Sequence, residues 1–81
     1  METRVALIGI VVENPDSVEQ LNALLHQYRQ YVIGRMGVPY KEKNVSIISV
    51  AVDAPGDIIS ALSGKLGRLP GISTKTIYSK V

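Results

Sequence analysis

A shift of 40 residues lays the first half of this chain on its second half. Val5-Ala6-Leu7-Ile8-Gly9-Ile10-Val11-Val12-Glu13-Asn14-Pro15 falls on Val45-Ser46-Ile47-Ile48-Ser49-Val50-Ala51-Val52-Asp53-Ala54-Pro55, and the same register carries Val18 onto Ile58. Each half therefore runs through an apolar stretch rich in Val and Ile, an acid, one further residue, a proline and an amphipathic segment. A repeat of this size constrains the fold strongly, because two copies of one supersecondary unit must pack against each other.

β-Branched side chains crowd a helix but fit a pleated surface, so the runs Val5 to Val12 and Val45 to Val52 are predicted strands. Pro15 and Pro55 suit a first helical turn, where a missing N–H is harmless, with Asn14 as N-cap in the first half and Asp53 or Ala54 in the second. Val18, Leu21, Leu25, Tyr28 and Val32 form one helical stripe; Ile58 or Ile59, Leu62, Leu66 and Leu69 form another. Gly64 inside the second helix costs about 1 kcal/mol relative to Ala, and Gly67 or Gly71 with Pro70 supplies its stop. Extended segments follow each helix, at Tyr31 to Val38 and Ile72 to Ser79.

The predicted order is βαββαβ, an α+β ferredoxin-like sandwich: a four-stranded antiparallel sheet of order 4-1-3-2 with two helices on one face. At 81 residues the chain is one domain, 1–81. It has no Cys, Phe or Trp, so the core must be aliphatic and no disulfide can staple it. No apolar stretch is long enough to span a membrane and no secretory signal is evident, which predicts a cytoplasmic protein. The net charge is +2, and the basic residues are scattered singly, so direct binding to nucleic acid is not expected.

With helices on one face only, a monomer should alternate apolar and polar residues along its central strands. These strands do not alternate. Ile8, Ile10, Val12, Ile48, Val50 and Val52 are assigned to the helices, which leaves Val5, Leu7, Val11, Val45 and Ile47 on an open face. Such a patch marks an interface, and a homodimer or homotetramer through that face is expected.

Candidate chemistry is sparse. The single histidine, His26, falls on the polar flank of the first helix, and with no Cys a borderline or soft transition-metal site within one chain is not expected. Glu13 and Asp53 occupy equivalent strand ends: they are first of all capping carboxylates at two helix starts, and they could approach each other across the central pair as an acid/base pair or hard-cation site. An RNA-binding sheet of this topology needs aromatic residues on its open face, which here is aliphatic. GKLGRLPG, Gly64 to Gly71, ends a helix instead of beginning one, so it is a C-capping segment and not a phosphate loop. Asp53-Ala54-Pro55-Gly56-Asp57 instead sets free N–H groups at a helix start, a place to hold a small anion. Arg35 and Met36, in the edge segment Ile33 to Tyr40 (IGRMGVPY), are further candidate contacts. No cofactor is identified, and a small-molecule effector or a protein partner is the expected ligand class.

Asp53-Ala54-Pro55-Gly56-Asp57-Ile58 resembles the D-x-P-G turn of ACT domains, regulatory βαββαβ modules that dimerise and bind effectors near that turn. IGRMGVPY, Ile47 to Ala54, Ile59 to Gly71 and Tyr78-Ser79-Lys80 resemble a family of small bacterial proteins labelled iron-only hydrogenase system regulators. Their fold is similar to the sensing domain of the nickel-responsive repressor. The resemblance implies a non-enzymatic, ACT-like regulatory module with a role in transcription. The histidines and cysteine of the nickel site are missing here, so nickel sensing does not carry over, and the module is expected to act without a DNA-binding domain of its own. The alternatives are an acylphosphatase-like hydrolase of the same fold or a purely structural assembly partner. The hydrolase is disfavoured by Glu13-Asn14-Pro15-Asp16, acids standing where a phosphate loop needs glycines and an arginine.

Overall fold

The two Val/Ile-rich runs form the centre of one sheet. The computed structural model describes residues 2–80, in the order β1 (Arg4–Val12), a 3-10 turn (Pro15–Ser17), α1 (Val18–Gln27), a 3-10 turn (Arg29–Tyr31), β2 (Val32–Tyr40), a 3-10 turn (Lys41–Lys43), β3 (Val45–Ala54), α2 (Gly56–Gly67) and β4 (Ile72–Tyr78). The strands lie in the order β2-β3-β1-β4, with each neighbouring pair antiparallel. That is 4-1-3-2 read from the other edge, and it gives the ferredoxin-like arrangement.

Burial follows the predicted division of faces. Ile8, Ile10, Val12, Ile48, Val50 and Val52 are buried with Leu21 and Leu25 of α1 and Ile59, Leu62 and Leu66 of α2. Tyr28 closes the end of this core, and its hydroxyl accepts a 2.8 Å hydrogen bond from Lys65 Nζ. This satisfies the polar tip of a ring whose body is buried.

The connection from α2 to β4 is docked on the connection from β1 to α1. Glu13 N–H donates to Gly71 O at 2.7 Å, and the buried Ser17 donates from Oγ to Pro70 O at 2.6 Å. Gly71 has φ +70°, and a Cβ there would stand 2.5 Å from Asn14 Cβ and 2.9 Å from Asn14 N. Both the backbone conformation and the close approach thus require glycine. Asn14 caps the 3-10 turn that leads into α1, its Oδ1 accepting from Asp16 N–H at 3.0 Å, whereas α1 itself starts after Ser17 with no side-chain cap, so Pro15 precedes the helix instead of lying in its first turn.

Three further local expectations are corrected. Val32 is not on the helical stripe: α1 stops at Gln27, the 3-10 turn reverses the chain, and Val32 is the first residue of β2. Pro55 is not inside the first turn of α2 but is itself the N-cap, with φ −55° and ψ 145°, and no side chain caps that helix. Glu13 and Asp53 do not approach each other. Because β1 and β3 are antiparallel, Asp53 pairs with Val5 while Glu13 lies beyond the opposite end, past the Val12–Ser46 pair. Eight residues of strand put them about 26 Å apart, which removes an acid/base pair or a shared cation site.

Candidate functional site

The face of the sheet away from the helices carries side chains from all four strands. Val5, Leu7 and Val11 of β1 and Val45 and Ile47 of β3 lie there, as expected, with Leu7 42% and Ile47 49% exposed. Residues directly opposite in an antiparallel pair share a face. Pairing of Met36 with Ser49, Val38 with Ile47 and Tyr40 with Val45 therefore adds Met36, Val38 and Tyr40 to this surface, and pairing with Leu7 adds Ile77. The apolar patch is interrupted by Ser49 and Ser73 and by Lys75, which lies opposite Gly9 on the edge strand β4, where its long stem can carry the ammonium to the rim.

The surface is large for the mass. The chain exposes 5453 Å², whereas a compact monomer of 8.8 kDa exposes about 4,800 Å². The excess of about 700 Å² is close to the area of about 800 Å² that one partner contributes to a standard protein interface. In β2 each residue after Val32 is exposed, and the molecule is elongated, 42 × 20 × 17 Å.

The Asp53–Asp57 turn sits at the junction of β3 and α2. Asp53 is exposed, Ala54 is buried beneath the helices, and Asp57 lies in the first turn of α2. Pro55 O accepts from Ile58 N–H and Ile59 N–H at 3.0 and 3.1 Å. The nearest atom to a Cβ placed on Gly56 is Arg4 Cδ at 3.8 Å, and the Arg4 guanidinium is engaged 4.0 Å above the Tyr78 ring. Arg35 and Met36, the other two candidate contacts, part company. Met36 pairs with Ser49 and faces the open side, whereas Arg35 pairs with Val50 and faces the helices.

On the helix side Arg35 Nη2 donates to Asn22 Oδ1 of α1 at 2.7 Å. It also lines a cavity of about 240 Å³ with Leu25, Arg29, Val32 and Val50. Arg29 belongs to the turn after α1 and donates from Nη1 to His26 O at 2.9 Å. No sequence pattern singles Arg29 out. Its proximity to Arg35 depends on the chain reversing between Gln27 and Val32, where the sequence periodicity continues the helix. Among the described residues no three of His, Asp and Glu gather as a metal site would require.

Residues 4–76 match the family model of TM1266-like proteins, whose description is "Iron-only hydrogenase system regulator, putative". The chain belongs to the TM1266-like family. The solved structure of TM1266 from Thermotoga maritima is 38% identical, covers 98% of this chain and all of that one, and superposes with a TM-score of 0.93. The TM1266-like resemblance carried by IGRMGVPY and GKLGRLPG thus extends through the whole fold. Two further structures share the fold alone. The C-terminal domain of the MgtC protein from Mycobacterium tuberculosis is 12% identical, with a TM-score of 0.75 over 95% of this chain and 88% of that one. A formyltetrahydrofolate deformylase from Pseudomonas putida KT2440 is 13% identical, with a TM-score of 0.64 over 89% of this chain and 28% of that one. No functionally curated protein matches the TM1266-like sequence.

Proposed function

We propose that this TM1266-like chain is a non-enzymatic regulatory module of an iron-only hydrogenase system. In this reading it works in the cytoplasm as a homo-oligomer built through the open face of its sheet, and any effect on transcription passes through a partner. The observation that carries the assembly is the set of exposed aliphatic side chains on the open face, Leu7, Val11 and Ile47 among them. Exposed in a monomer, it forgoes several kcal/mol of burial at about 25 cal/mol per Å². That is comparable with the whole stability of a domain this size, about 4–12 kcal/mol.

The competing hydrolase reading loses support at the connection from β1 to α1. Three of its backbone donors are already engaged, Glu13 N–H on Gly71 O, Asp16 N–H on Asn14 Oδ1 and Ser17 N–H on Asn14 O, and Glu13 and Asp16 would repel a phosphate. Light scattering at tens of micromolar tests the proposal. A dimer or tetramer supports it, and a stable monomer removes it.

A further inference from the structure

We propose that the cavity between the end of α1 and the start of β2 binds a small carboxylate with a short aliphatic tail, held by the guanidinium groups of Arg29 and Arg35. The proposal stands whether or not the open face pairs with a second copy, because Arg35 and its neighbour Val50 lie on the helix side of the sheet.

The site is built by a defect in the strand. Along a regular strand, residues three apart face opposite ways, so Val32 and Arg35 would not share a cavity. Here the register slips between Val32 and Gly34: Val32 pairs with Val52, Gly34 with Ala51 and Arg35 with Val50. Val50 and Val52 both point to the helices, so the bulge brings Val32 and Arg35 to one side. Bulges that re-aim a side chain in this way are common beside binding sites.

Charge selects an anion. Each guanidinium carries five N–H donors in a planar fork. The hydrogen bonds of Arg29 and Arg35 go to neutral oxygens, His26 O and Asn22 Oδ1. Among the described residues neither has a carboxylate partner. The C-terminal end of α1 opposes them with about half a negative charge, against two full positive charges. The remaining donors match a carboxylate, which arginine binds through paired hydrogen bonds.

Size and lining select the rest of the ligand. The cavity of about 240 Å³ is open to solvent, with Arg29 and Arg35 exposed at its mouth, and its volume is enough for a small acid. Leu25, Val32 and Val50 offer an aliphatic wall that inorganic phosphate would leave unused.

Calorimetry with isovalerate, isovaleramide and inorganic phosphate tests the site, with amide NMR shifts to locate binding. Expected are binding of isovalerate at millimolar concentration with shifts confined to residues around the cavity, no binding of the uncharged amide, and weaker binding of phosphate. Arg29→Gln and Arg35→Gln should each weaken isovalerate about tenfold, and Arg35→Lys should weaken it less, because charge remains but the fork is lost. The proposal is overturned by isovalerate and phosphate binding equally, by unchanged isovalerate binding in the double variant R29Q/R35Q, or by no binding to the folded wild-type chain.

Discussion

Replacing Leu7 by aspartate should separate assembly from folding. Fully burying a leucine side chain stabilises by about 1.5–3 kcal/mol. Leu7 is already more than half covered in the single chain, at 42% exposure, so an interface adds about 1 kcal/mol per copy and about 2 kcal/mol per symmetric dimer. Aspartate removes that gain and places one carboxylate from each copy at the interface, where an unpaired charge costs several kcal/mol. The combined loss exceeds about 4 kcal/mol, a factor of about a thousand in Kd. In the isolated chain the covered part of the side chain is lost as well, and aspartate is a poor strand former, so folding should lose about 2 kcal/mol, less than the stability of a domain this size. Light scattering should show a monomer, and circular dichroism an unchanged spectrum with a melting curve no longer dependent on protein concentration. If the variant keeps the wild-type oligomeric state at tens of micromolar, Leu7 is not at an interface and the open face is not where copies meet.

Two folding predictions use contacts elsewhere. Gly71→Ala forces an L side chain into φ +70° and onto Asn14, and should cost about 2–4 kcal/mol in urea unfolding as the docked connections separate; Gly34→Ala, with nothing within 4 Å of its Cβ, is the control and should be near neutral. Tyr28→Phe removes only the acceptor of the exposed Lys65 ammonium and should cost about 0.5–1 kcal/mol, whereas Tyr28→Ala opens the end of the core and should cost about 3–5 kcal/mol. A Phe variant as unstable as the Ala variant would show that the ring's packing has been overvalued.

The parts of this fold legible in the sequence are those set by local chemistry repeated twice. Two long Val/Ile runs point to strands, and the bulkier of their two sets of alternate residues, Ile8, Ile10, Val12, Ile48, Val50 and Val52, marks the face that the helices cover. What was illegible depends on chain direction and on a single extra residue. The repeat makes Glu13 and Asp53 look adjacent, because equivalent positions suggest equivalent places; antiparallel pairing sends equivalent strand ends to opposite ends of the sheet. Val32 continues the spacing Leu21, Leu25, Tyr28, and nothing in Arg29-Gln30-Tyr31 breaks a helix by propensity, so the turn is decided by tertiary packing of Tyr28 and Tyr31 against the core. The bulge after Val32 leaves no signal beyond Gly34, and the Arg29/Arg35 cavity depends on both the turn and the bulge.

Arg35 and Met36 are consecutive in β2 and face opposite sides of it, one into the arginine cavity and the other onto the proposed assembly face. β2 is also the strand with the least cover of its own. An anion that ties Arg35 to Arg29 across the end of α1 restrains the same backbone that presents Met36 and Val38 to a partner, and so reduces what ordering that edge costs on association. Such couplings amount to about 1–3 kcal/mol, or about 5- to 150-fold, and they are reciprocal. Saturating isovalerate should therefore lower the dimer Kd by at least about fivefold, and the assembled form should bind isovalerate correspondingly tighter than the Leu7→Asp monomer. Equal ligand affinity in monomer and oligomer would show that the two faces of β2 act independently, with an anion site on one side and an assembly surface on the other that do not communicate.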